Sequence, residues 1–123
     1  MHVQGLVWLG IQTSAFDRMV HFLTHVLGMR VEFEEEGTSE LSFPNGTRIQ
    51  VFAPGHPYYS FFESHSAGPV ALFEVDDVHA AKTELQRVGI DLIGSVESDE
   101  NWSWVNFRGP DGNLYEIANQ RRR

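Results

Sequence analysis

The sequence contains no cysteine, and it is short of basic residues. The first absence excludes disulfide bonds, thiolate metal sites and a cysteine nucleophile. Lys and Arg together number 9 against 17 for Asp and Glu, and three of the nine are Arg121, Arg122 and Arg123. Because phosphate binding needs a basic surface, nucleic acid is not expected as a partner. An acidic protein surface instead favours cationic ligands, which it attracts by long-range steering.

Long hydrophobic runs are also missing. No stretch approaches the ~20 apolar residues of a membrane-spanning helix. The first five residues lack the basic and apolar regions of a signal peptide. The chain has 123 residues, which is the size of one ordinary domain. We therefore expect a soluble, cytoplasmic protein that folds as a single domain and has no membrane partner.

An internal repeat dominates what is present. Each copy has a strand-like run, then an amphipathic helix that ends at a glycine, then three more strand-like runs. Module one covers about residues 1–54, and its helix begins at the N-cap Ser14 and ends at Gly28. Module two covers about residues 70–120, and its helix is capped by Asp76 or Asp77 and ends at Gly89. Equivalent positions of the two copies can therefore be compared directly.

Alternating apolar residues and turn signals define the strands of both modules. The predicted strands are 6–12, 30–35, 40–43 and 48–53 in module one, and 70–75, 92–96, 102–107 and 114–119 in module two. Residues 55–69 connect the modules and show no usable period. This connection is rich in aromatic residues, namely Tyr58, Tyr59, Phe61 and Phe62. Two interpretations of the aromatic segment remain open, a cover over a binding cleft and a subunit interface.

Three segments together resemble the vicinal oxygen chelate superfamily, which includes glyoxalase I, bleomycin resistance proteins and extradiol dioxygenases. They are Val26-Leu-Gly-Met29, Phe73-Glu-Val-Asp-Asp-Val78 and Gly109-Pro-Asp-Gly-Asn-Leu-Tyr-Glu-Ile117. The last segment departs from the family pattern, which usually has Asp at the position of Gly109. The resemblance implies an α+β fold of paired βαβββ modules. Their strands would form an open, cup-shaped mixed sheet with the helices outside, usually completed in a homodimer.

In the metal-using members, ligands come from the first and last strands of each module. The resemblance carries these positions onto Trp8, Gln50, Val70 and Glu116. Trp and Val cannot ligate a divalent cation and Gln offers a neutral amide oxygen, whereas catalytic sites of this kind need about three protein ligands. We therefore expect no metal and no other cofactor. A divalent metal bound at Glu116 is the alternative.

Glu116 is the one acid that the resemblance points into the cup. There it serves as a catalytic general base, as an anchor for a cationic or hydroxyl group, or simply as a retained acid hydrogen-bonded to Gln50. Strand parity allows aromatic side chains on the same side. The expected ligand-binding residues are Trp8, Gln50, Phe52, Val70, Trp102, Trp104 and Glu116.

The expected function is the binding of a small planar or cationic organic molecule in this aromatic cup. Two alternatives stay open. One is a lyase, isomerase or dioxygenase of the same superfamily that uses Glu116 with an atypical metal site or as general base. The other is a non-catalytic interaction domain.

A pair of histidines on the first helix offers a different kind of site. His21 and His25 are four residues apart, the spacing at which two imidazoles can share a metal. They lie opposite the apolar stripe of the predicted helix, on the face expected to meet solvent. We interpret them as surface histidines.

Overall fold

The computed structural model describes residues 2, 4–6, 8–65 and 70–121, without the side chain of residue 65. Two compact units divide the chain, Met1–Ser66 and Ala67–Arg123. Their boundary falls inside the predicted connection, of which residues 66–69 lie outside the described part of the chain.

The first unit contains a four-stranded mixed sheet. Its strands are β1 (Trp8–Gln12), β2 (Arg30–Glu35), β3 (Thr38–Ser42) and β4 (Arg48–Phe52). They lie in the order β1-β4-β3-β2, with β1 parallel to β4 and the other pairs antiparallel. The predicted strands of module one are thus confirmed to within about two residues, the usual uncertainty of element ends.

Helix α1 (Phe16–His21) follows β1 and continues as a π-helical turn over Phe22–Val26. The predicted N-cap Ser14 is wrong, since Ala15 occupies that position and makes no side-chain cap bond. A side-chain hydrogen bond just before the helix comes from Thr13 instead, whose Oγ1 accepts the Ala15 N–H at 3.0 Å. Gly28 ends the helical segment at φ 72°, as predicted.

The core of the first unit joins α1 and its π-helical turn to the sheet. The fully buried residues include Met19 and Leu23 from the helical segment and Leu41, Ile49 and Val51 from the strands. On β4, Ile49 and Val51 alternate with Gln50 and Phe52, so one face of the sheet meets α1 and the other face is left for other contacts.

A second helix, α2 (Pro57–His65), lies within the connection, where the sequence predicts no element. Proline at the first helical position is favourable because its missing N–H has no intrahelical partner there. The helix packs its Phe62 against Trp8 and Phe52 of the sheet. This tertiary packing explains a helix that the sequence period alone does not indicate.

The second unit repeats the topology of the first. It contains β5 (Ala71–Glu74), α3 (Val78–Arg87), β6 (Asp91–Ser98), β7 (Trp102–Arg108) and β8 (Leu114–Gln120). The strand order is β5-β8-β7-β6, with β5 parallel to β8. The internal repeat and the α+β fold class are therefore confirmed.

Helix α3 begins at the predicted cap. The Asp77 carboxylate accepts the backbone N–H groups of His79 at 2.9 Å and Ala80 at 3.3 Å. The Asn119 side-chain oxygen accepts the Val78 N–H at 2.7 Å and ties the helix start to β8. Buried Val78 and Leu85 hold the helix against its sheet.

The helices bear on two further expectations, the exposure of the paired histidines and the lack of a membrane span. His21 and His25 are both exposed, with imidazole rings stacked at 4.3 Å between centroids, so the interpretation as surface histidines is confirmed. Within the described part of the chain, none of the helices has the length and apolar character needed to cross a membrane.

Candidate functional site

The face of the first sheet opposite α1 carries three of the predicted binding residues. We call it face one and define it by Trp8, Gly10, Thr38, Gln50 and Phe52. Gly10 lies beside Gln50 in the β1–β4 register, and Phe52 lies beside Thr38 in the β3–β4 register. Trp8, Gln50 and Phe52 therefore share a face.

A chain of hydrogen bonds crosses face one. The Trp8 indole Nε1–H donates to Gln50 Oε1 at 3.3 Å. Gln50 Nε2 then donates to Thr38 Oγ1 at 3.0 Å, and the Thr38 hydroxyl donates to the Val51 carbonyl at 2.8 Å. Both ends of the Gln50 amide are thus engaged within the first unit.

Aromatic rings from α2 and its approach cover part of face one. Phe52 is 1% exposed because Phe62, Tyr58 and His56 surround its ring at centroid distances of 5.4, 5.7 and 4.9 Å. Trp8 lies 6.2 Å from Phe62 yet stays 38% exposed. Phe52 is therefore a packing residue, whereas the Trp8 ring keeps exposed surface.

Charged side chains adjoin face one, since Arg48 is the register partner of Trp8. Arg48 donates to Glu40, and this hydrogen bond raises the pKa of the Arg48 guanidinium above its ordinary value. Hydrogen bonds from Ser42 and then Arg30 lower the pKa of Glu32 below its ordinary value. Arg30, Glu32, Ser42 and Arg48 line a cavity of 460 Å³. Each arginine is paired with a carboxylate, Arg30 with Glu32 of the cavity lining and Arg48 with Glu40, which does not line the cavity.

The corresponding face of the second sheet holds Glu116. We call it face two and define it by one row of four residues across the strands, Leu72, Glu116, Asn106 and Ile93. The Asn106 amide donates to Glu116 Oε1 at 3.3 Å. Leu72 and Ile93 flank this polar pair and are 48% and 39% exposed. A half-buried carboxylate therefore stands in an apolar frame with a neutral hydrogen-bond donor beside it.

The remaining predicted residues lie near this row. Trp104 is on β7, two residues from Asn106, which makes it a diagonal neighbour of Glu116 on the same face. Trp102 lies one further pair along, opposite Gln120, and both tryptophans are half-buried. Val70 immediately precedes β5 and is exposed. Each unit thus gathers its own share of the predicted residues on one sheet face.

The side chains at the four family metal positions do not fit a divalent cation. Gln50 Oε1 is used by the Trp8 indole, and neither Trp8 nor Val70 offers a lone pair to a metal. Across the part of the chain that the structure describes, no three His, Asp or Glu side chains are grouped so as to hold a metal ion. Glu116 stands as a carboxylate with an amide neighbour.

Several residues of the two faces escape prediction from sequence. Gly10 lies against Trp8, Thr38 accepts a hydrogen bond from Gln50, and Asn106 binds Glu116. Asn106 could have been found by aligning the paired strands of the two modules. Asn106 is the register partner of Glu116 in module two, and Glu40 is the register partner of the equivalent Gln50 in module one. Phe62 belongs to the aromatic segment named from the sequence, but its contact with the Trp8 ring depends on a helix that the sequence does not predict.

Comparison with solved structures returns the same fold. A protein from the mobile metagenome of V. pseudocholerae superposes with a TM-score of 0.77 at 22% identity, covering 99% of this chain and 98% of the other. A lactoylglutathione lyase from Agrobacterium tumefaciens gives 0.76 at 16% identity, covering 96% and 95%. TnmS3, an antibiotic binding protein from Streptomyces sp. CB03234, gives 0.74 at 16% identity, covering 98% and 99%.

No curated protein matches the sequence significantly. A family model does match, that of the glyoxalase/bleomycin resistance protein/dioxygenase superfamily, over residues 5–117. This match spans nearly the whole chain and agrees with the repeated βαβββ topology of the two units. The chain belongs to the glyoxalase/bleomycin resistance protein/dioxygenase superfamily.

Proposed function

We propose that the protein binds a small planar or cationic organic molecule and uses no resident metal. The observation that carries the proposal is the row of face two, in which Glu116 is flanked by Leu72 and Ile93 and bonded by a neutral amide. A carboxylate has about four acceptor positions, so the Asn106 bond leaves most of its capacity for a ligand. Hydrogen bonds between a cation and a carboxylate are roughly twice as strong as neutral ones.

Aromatic rings add a second source of affinity. Trp104 is a diagonal neighbour of Glu116 on the same face of the second sheet. A cation over the face of a tryptophan gains ~0.5–2 kcal/mol, and a planar ring can stack on the same surface. The net charge of −8 favours the approach of cations from solution.

The relatives of known structure include both a binding protein and a lyase, so the fold alone does not choose between the two functions. The side chains favour binding, because the metal positions carry Trp8, Gln50 and Val70. We also propose that the protein is a cytoplasmic homodimer. Sedimentation velocity would measure the mass of the particle in solution.

Calorimetric titration with three compounds tests the proposal. The compounds are proflavine, a planar cation; acridone, a planar neutral molecule; and 1-aminoadamantane, a globular cation. We expect proflavine to bind, and Glu116→Gln to weaken it about tenfold or more, since a hydrogen bond to a charged group contributes ~1.5–3 kcal/mol. Glu84→Gln is the matched control, because it makes the same charge change on the exposed surface of α3. Kd values weaker than about 1 mM for all three compounds would contradict the proposal.

Elemental analysis of protein purified without a histidine tag tests the metal-free part. We expect no stoichiometric Zn, Ni, Fe or Mn. A stoichiometric metal that is lost in Glu116→Ala would instead favour the lyase, isomerase or dioxygenase alternative.

A further inference from the structure

Trp8 is held on three sides, and each contact can be assigned to a single residue. The first is Gly10, two residues along the same face of β1. A Cβ atom built on Gly10 would lie 2.5 Å from Trp8 Cη2 and 2.9 Å from Cζ3. Such distances are too short for carbon atoms, which approach to about 3.5–4.0 Å. The far edge of the indole therefore occupies the space that any other residue at position 10 would fill.

Backbone conformation does not explain this glycine. Gly10 does not have a positive φ, so its backbone adopts a conformation that any residue can take. What position 10 requires is the absence of a side chain. Gly10 therefore makes room for the Trp8 ring.

The second contact is the hydrogen bond from the indole N–H to Gln50. The direction of the chain across face one fixes which end of the amide meets the indole. The Thr38 hydroxyl gives its proton to the Val51 carbonyl, so its oxygen must accept from Gln50 Nε2. Gln50 is thereby forced to turn its Oε1 towards Trp8. Thr38 is 2% exposed, which shields this relay from competing water.

The third contact comes from α2. The Phe62 ring lies 6.2 Å from the indole at an angle of 56°, and its Cε2 would be 3.0 Å from a Cβ on Gly10. Any side chain at position 10 would thus press on both rings. A ring held in this way has lost its rotamer freedom before a ligand arrives, which removes a cost of binding.

We infer that Gly10 and Gln50 are positioning residues that hold the Trp8 indole in one orientation, and that this orientation selects a flat aromatic ring as the ligand of face one. The inference rests on the proposed binding function for its ligand class. The positioning itself can be measured without any ligand.

The first measurement uses ligand-free protein in a Trp102→Phe/Trp104→Phe background, where Trp8 is the sole tryptophan. We expect Gly10→Ala and Gln50→Met to shift Trp8 emission to longer wavelength and to increase its quenching by acrylamide about twofold, as the ring moves towards water. Gln50→Glu keeps an oxygen acceptor for the indole, and the Thr38 hydroxyl can turn its proton from the Val51 carbonyl to the new carboxylate, so we expect quenching between those of the wild type and Gln50→Met. Gln12→Ala is the matched control on the same face of β1, and it leaves Trp8 unchanged.

The second measurement is calorimetry with proflavine and 1-aminoadamantane in the otherwise wild-type protein. We expect Gly10→Ala to weaken proflavine about tenfold and to change 1-aminoadamantane less than about twofold. Equal losses for both compounds would refute the selection of flat rings. Gln50→Met provides a second test if Gly10→Ala does not fold.

The two measurements separate the inference from the proposed function. Unchanged Trp8 quenching in both variants overturns the positioning role, whatever binds. Altered quenching without proflavine binding by the wild type keeps the positioning role and refutes the ligand class together with the proposed function.

Discussion

Gly109 is the position at which the chain departs from the family pattern, and the close packing around it can be tested by a single substitution. Its N–H donates to the Asn113 carbonyl at 3.0 Å and starts the turn between β7 and β8. A Cβ built on Gly109 would lie 2.8 Å from Tyr115 Cε2 and 2.7 Å from Asp111 Oδ1. Gly109→Ala is the smallest change that places an atom there.

Neither neighbour can move aside easily. Tyr115 is 3% exposed, and its ring stacks on Phe73 at 5.6 Å and on Phe107 at 5.5 Å. The Asp111 carboxylate accepts from the Tyr115 hydroxyl at 2.5 Å and from the Asn113 amide at 2.8 Å. The turn therefore meets an added methyl group with fixed atoms on two sides.

The magnitude follows from two opposing effects. Overpacking at a fixed site costs ~1–3 kcal/mol. Replacing glycine also restricts the unfolded chain, which stabilises the folded state by ~0.4–1 kcal/mol. We expect Gly109→Ala to lower the free energy of unfolding by about 1–2 kcal/mol. Gly109→Asp, the residue usual in the family, should lower it further because it adds a charge beside Asp111.

Urea denaturation followed by tryptophan fluorescence measures this change as a fall in midpoint of about 0.5–1 M at an unchanged m-value. A double-mutant cycle with Tyr115→Leu assigns the cause, because the Tyr115 ring is then absent and the cost of Gly109→Ala should shrink. If Gly109→Ala were neutral or stabilising in the protein that keeps Tyr115, the reasoning would be refuted.

Two further predictions concern the second unit. Asp77→Ala should destabilise the protein by ~1 kcal/mol, since the carboxylate accepts the His79 and Ala80 N–H groups at the start of α3. Thermal unfolding followed by circular dichroism measures this loss. Asp76→Ala is the control and should have no such effect. Burial, and then the charge of Asp111, raise the pKa of the Tyr115 phenol above its ordinary 10.0, so folded protein holds this proton when unfolded protein has lost it. Stability from Tyr115 is thus complete below pH 10.0 and falls as the pH rises beyond it, and a Tyr115→Phe variant that showed the same loss in alkaline urea denaturation would contradict this assignment.

The fold could be predicted from sequence because its strands are short, alternating and bounded by turn residues. The register partner of each strand lies in its own module, so local patterns are enough to define the repeat. Helix α2 was missed for a physical reason. Its aromatic side chains respond to rings on face one, which no period within residues 57–65 can reveal.

The candidate site could be predicted only in part. Alternation on β4 puts Gln50 and Phe52 on the same side of their strand, and the family resemblance points to Trp8 and Glu116, but only the register shows which residues of different strands share a face. The partners of these residues depend on register, which shifts at irregularities between Val31 and Phe33 and between Ile93 and Glu97. For that reason the sequence identified Glu116 but not Asn106 beside it.

The alternation of Ile49 and Val51 with Gln50 on β4 has a consequence for how such proteins diversify. Substitutions on the helix-covered side are constrained by the hydrophobic interior, whereas the side chains at Gln50 and Glu116 lie on the opposite faces of their sheets and can change without disturbing that interior. Each half of the molecule can thus acquire or lose a chemical group independently of its foldability. A duplicated fold of this kind therefore offers two sheet faces whose chemistry can be altered separately by substitution.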